Sequence, residues 1–90
     1  MNITADQLHA RLTDKLQPFA LQVLDESADH AGHAGSDGSG HGTHFRVRIG
    51  AGVFEGLSRV AKHRLVYDAL QQFTDQGMHA LAIEIVDASD

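Results

Sequence analysis

THFRVRIG, residues 43–50, alternates without a break: Phe45, Val47 and Ile49 fall on one side, His44, Arg46 and Arg48 on the other. Period-two alternation with one apolar face predicts a half-buried strand whose cationic side meets water. Such a strand needs apolar neighbours, and both flanks supply them. Upstream, Phe19 to Glu26 reads as another strand, with Phe19, Leu21 and Val23 alternating with Ala20, Gln22 and Leu24. Before it, Leu8, Leu12 and Leu16 recur every fourth residue along one helix face until Pro18 ends the pattern. Thr4 and Gln7 have capping-box spacing at the start of that helix, and Ile3 with Leu8 has the spacing of a hydrophobic staple.

Downstream of the AGVFEGL connection, Ser58 is a plausible cap for a helix reaching about Thr74, with Leu65, Val66, Ala69, Leu70 and Phe73 as its buried stripe. Gly77 suits its C-terminal stop. The last apolar run, Met78 to Val86, is broken only by His79 and Glu84, which predicts a strand well covered by neighbours. The order helix, strand, strand, helix, strand implies an α+β domain with helices packed on a small mixed sheet. The first two strands should pair antiparallel, and the crossover through a helix should make the second and third parallel.

Ninety residues with a 42% hydrophobic share allow one modest core and one domain, 1–90. The segment from Ser27 to Thr43 has five glycines, three histidines and no large apolar residue. It cannot bury enough surface to offset its ordering entropy, so a flexible His/Gly-rich loop at 28–43 is expected. The chain has no Cys, which excludes disulfides, a Cys nucleophile, and an iron-sulfur cluster held only by its own thiolates. Neither a leader pattern nor a membrane-spanning apolar run is present, so cytoplasmic residence without membrane association is the expectation. A formal charge of -5 argues against general nucleic-acid affinity, yet Arg46, Arg48, Arg59, Lys62 and Arg64 fall together with Glu55 as the only acid among them.

The topology makes a prediction about the histidines. His30 follows the first strand, His44 opens the second and His79 opens the third, so antiparallel and then parallel pairing gathers all three at one rim of the sheet. His63 lies about 11 residues, or roughly 16 Å, from the helix end near His79 and is excluded. Imidazole binds transition metals well, but a His opening a strand is more often packed or hydrogen-bonded, and His33 and His41 read most simply as solvated linker residues.

The segments DESADH, GTHFRVRI, FEGLSRVAKHRLVYDAL and HALAIEIV, in that order, resemble the BolA family over nearly the whole span from Leu16 to Val86. The resemblance implies an α-β-β-α-α-β fold with a three-stranded mixed sheet, similar to a type II KH domain, with a short helical turn near FEGLS. It also implies a partner, a monothiol glutaredoxin, with which a 2Fe-2S cluster is shared. The glutaredoxin Cys and a glutathione thiol, supplied through the partner, give the sulfur ligands, and the BolA-like chain gives His ligands. Carried over by position, these are His79 in HALAI and His30 in DESADH. The loop's wealth of His leaves His33, His41 and His44 open as alternatives.

Two further readings compete with the adaptor. DNA binding and transcription regulation, an activity also implied by the resemblance, would use Arg59, Lys62 and Arg64 with Arg46 and Arg48. KH-type RNA clamping finds no GXXG loop, because Gly56 is followed by Leu57, Ser58 and Arg59. Alternatively, the loop histidines scavenge nickel or zinc. An enzyme is not expected, since no nucleophile, paired acids or phosphate-cradling loop has supporting context. Self-association as a homodimer stays open.

Overall fold

The computed structural model describes residues 3–26, 44–78 and 80–87. Helix α1, Ala5–Leu16, starts at a complete capping box, in which the Thr4 side chain accepts from the Gln7 backbone and the Gln7 side chain accepts from the Thr4 backbone N–H. Ile3 and Leu8 are both buried, as staple spacing requires, and Leu8, Leu12 and Leu16 form the buried stripe. The helix ends at Gln17, whose left-handed φ of 47° lets its N–H reach the Thr13 carbonyl ahead of Pro18.

Three strands follow the expected topology. β1, Ala20–Asp25, pairs antiparallel with β2, His44–Gly50, and β2 pairs parallel with β3, Ala80–Ile85, giving the order β1-β2-β3. The register puts Leu21 and Val23 beside Ile49 and Val47, and Leu81, Ile83 and Ile85 beside Phe45, Val47 and Ile49. This shared face carries the core, where Phe45, Val47 and Ile49 meet the α1 leucines and Val66, Leu70 and Phe73. Each fully buried side chain of this size contributes about 1.5–3 kcal/mol.

Two expectations are corrected. The helix proposed from Ser58 to Thr74 is broken: a 3-10 turn covers Gly52–Phe54, α2 spans Arg59–Ala69, and α3 spans Gln71–Asp75. Leu70 leaves helical geometry at φ -106°, ψ 12°, with neither Gly nor Pro at the break, and stays fully buried. The second correction concerns β3, which is an edge strand, not one covered on both sides. Its outward residues Ala80, Ala82 and Glu84 pair with His44, Arg46 and Arg48 on a face with no described helix behind it. The apolar residues on that face are alanines, too small to demand cover.

Met78 also belongs to the helix end and not to the strand. The Met78 N–H donates to the Phe73 carbonyl at 3.0 Å and the Gly77 N–H to that of Thr74 at 3.2 Å, with Gly77 at φ 119°. This paired closure is the Schellman motif, and it turns the chain directly into β3.

Candidate metal rim and cationic helix

One end of the sheet gathers three chain segments. The Glu26 N–H donates to the His44 carbonyl at 2.8 Å, which ties the exit of β1 to the entry of β2. His44 stands in parallel register with Ala80, the first residue of β3. The segment 27–43 therefore leaves and re-enters the described fold at the rim where β3 begins. Of the proposed ligands, His44 is described; it is half-buried and engaged in an interaction with its surroundings. His30, His33, His41 and His79, and the loop proposed at 28–43, lie outside the described residues, as does His79 between Met78 and Ala80. Among the described residues no group of three or more His, Cys, Asp or Glu is poised to hold a metal ion. His63 lies mid-way along α2 and lines a groove with Ile83, Ile85 and Asp87, toward the other end of β3.

The five basic residues proposed as one patch come from two elements, β2 and α2. Arg46 and Arg48 alternate out of β2 onto the open face of the sheet. There Arg46 donates through Nε to Glu26 and through Nη1 to Glu84, each at 3.0 Å, and Arg48 Nε lies 3.9 Å from Glu84. Hydrogen bonding first to Glu26 and then to Glu84 holds the Arg46 guanidinium above its already high ordinary pKa. One arginine thus links both outer strands across β2. This cluster was not read from the sequence, although Glu84 as the lone acid of β3 was its signal.

Arg59, Lys62 and Arg64 instead lie on α2, which begins at Ser58, whose hydroxyl accepts from the Ala61 N–H at 3.1 Å. No acid occurs in α2 before Asp68. The helix also exposes Val60 and Tyr67, and the Tyr67 hydroxyl donates to the Leu81 carbonyl of β3 at 3.2 Å.

Comparison with known proteins places these features in a family. The family model described as "BolA-like protein" matches residues 12–89. The chain is 44% identical over 85 residues to an uncharacterized protein from the cobS 5' region of Sinorhizobium sp, covering 93% of this chain and 89% of that one. It is 44% identical over 80 residues to the chloroplastic protein BOLA1 of Arabidopsis thaliana, covering 88% of this chain but only 50% of that protein. Its span is 22% of the length of the Arabidopsis SufE-like protein 1, with 45% identity over 80 residues. Among solved structures, BolA1 from Arabidopsis thaliana superposes with a TM-score of 0.82 at 40% identity, covering 99% of this chain and 96% of that one. The BolA domain of SufE1 from the same plant gives 0.82 at 38% identity, covering 94% and 92%. No described helix is long and apolar enough to cross a membrane, and the chloroplastic relatives show that the family occurs in more than one compartment.

Proposed function

The chain belongs to the BolA-like family, and from that premise we propose that it is a non-enzymatic adaptor that binds a monothiol glutaredoxin and shares a 2Fe-2S cluster with it, in iron-sulfur trafficking or iron and redox regulation in the cytoplasm. The observation that carries this reading is the common rim: the exit of β1, the entry of β2 and the entry of β3 lie together, with His44 in register with Ala80.

The donor set fits the group. Lacking Cys, this chain has no thiolate to offer iron. Imidazole is the nitrogen ligand of mixed His and Cys clusters, so the thiolates must come from the partner and glutathione. A cluster supplies reversible one-electron chemistry and a transferable iron-sulfur unit. On this side of the complex the proposed ligands are His79 and a second histidine, His30 first and then His33, His41 or His44. The Schellman closure at Gly77 and Met78 supports the assignment of His79, because it fixes the chain just before that residue on a buried anchor, Met78.

Mixing the chain with a monothiol glutaredoxin, iron, sulfide and glutathione tests the reading by visible absorption. The heterocomplex should give a spectrum distinct from that of the glutaredoxin alone, and His79→Ala should abolish the difference. A spectrum indifferent to this chain would reject the proposal.

A further inference from the structure

Strand β3 ends the sheet, and its outer edge is chemically well defined. The Val86 N–H donates to the Ile49 carbonyl at 2.9 Å. In a parallel ladder the residues of a strand alternate in the side to which their backbone groups point. Ala80, Ala82, Glu84 and Val86 therefore bond toward β2, while Leu81, Ile83 and Ile85 direct N–H and C=O away from it. The Tyr67 hydroxyl confirms the direction by donating to the Leu81 carbonyl from the far side. Among the described residues, no strand pairs with this edge. Exposed edges are commonly blunted by charged side chains, especially Lys, or by Pro or a bulge. ALAIEI, residues 80–85, has neither Lys nor Pro, and its one charge, Glu84, is engaged by Arg46 and Arg48.

Beside the edge runs α2, and between them lies a groove of about 400 Å³ lined by Arg59, Lys62, His63, Ile83, Ile85 and also by the acids Glu84 and Asp87. Glu84 is already held by Arg46 and Arg48. No described acid lies within ion-pair distance of Arg59, Lys62 or Arg64. Along the same helix an adjoining groove is lined by Arg59, Val60, His63, Arg64 and Tyr67, with Val60 65% and Tyr67 45% exposed.

We propose that the β3 edge and α2 form a docking groove for an extended acidic segment of another protein, which adds as a fourth strand alongside Ile83 and Ile85. Strand addition draws its affinity from main-chain hydrogen bonds and its selectivity from alternate side chains. Here the side chains on the helix side would meet cations together with Val60 and Tyr67, which selects carboxylates interleaved with aliphatic residues. Charge decides against a second copy of this chain. Edge-to-edge pairing about a twofold axis through Ile83 would bring two α2 helices together, each with Arg59, Lys62 and Arg64. Nucleic acid would be drawn by the same cations but has no use for an open strand edge. The groove is independent of the metal rim.

The test uses the full chain, isotope-labelled for NMR, and a short capped peptide alternating glutamate and valine. At about ten times Kd, amide exchange at Ile83 and Ile85 should slow roughly tenfold. The same peptide N-methylated at every second residue should lose this protection, and the paired change Arg59→Glu with Arg64→Glu should weaken binding of the unmodified peptide at least about tenfold. Equal binding of the N-methylated peptide would overturn the proposal. So would binding of a DNA duplex but not the peptide, or a free protein that sediments as a dimer with Ile83 and Ile85 already protected.

Discussion

His44 opens β2 directly beside Ala80, the first residue of β3, with their Cα atoms in parallel register. Since Glu26 also bonds to His44, the chain on both sides of segment 27–43 is anchored at the point where β3 starts. The candidate ligands can then be separated by single changes. Substituting His30, His33, His41 and His44 one at a time by Ala should alter the absorption of the glutaredoxin heterocomplex in one case, His30, and leave it unchanged in the others.

Gly50 has no room for a side chain. A Cβ there would stand 2.6 Å from Phe19 Cζ and 2.6 Å from the Val86 carbonyl oxygen, so Gly50→Ala should destabilise the fold by about 1–3 kcal/mol. Adding Phe19→Ala should recover only part of the loss, because the Val86 contact is backbone. Urea unfolding of the unaltered chain and of the two variants measures this.

Leu12 is fully buried between α1 and the sheet. Leu12→Ala should cost about 3 kcal/mol through lost transfer energy and the cavity left behind. The urea midpoint should fall with little change in the slope of the transition.

Arg46→Met should destabilise modestly and remove most of the salt sensitivity of stability, because it breaks the link from Glu26 to Glu84 across the outer strands. The raised pKa of Arg46 in the folded state means that its contribution is fully present below its unfolded pKa and disappears only as pH rises through the folded value. Thermal unfolding across the neutral to moderately alkaline range should therefore show no loss of stability from this group.

Much of the architecture was readable from local chemistry. The alternation of Phe45, Val47 and Ile49, the α1 leucines and the Thr4 capping box each act through near neighbours, and the right order of elements followed from them. Long-range features were less accessible. Counting Ala80 and Ala82 as apolar suggested a strand covered on both faces, whereas methyl groups tolerate the open face they occupy. The break at Leu70 involves no breaker residue, so no sequence signal announced it. Nearness along the chain did not reveal that Arg46 and Arg48 come from β2, where they meet Glu84, while Arg59, Lys62 and Arg64 come from α2. Arg46, once the register is known, belongs to Glu26 and Glu84. The metal rim was legible to the level of segments through strand order, and His44 is its described member.

Nitrogen ligation is the central claim, and hyperfine spectroscopy addresses it without relying on colour or activity. The heterocomplex would be assembled from this chain labelled with 15N-histidine and an unlabelled glutaredoxin, then reduced and examined by pulsed electron paramagnetic resonance. Strong couplings to directly bound 15N, reduced to that of the second histidine alone in the His79→Ala complex, are the predicted result. A cluster spectrum with no such coupling, or with the same coupling in both complexes, would contradict the account.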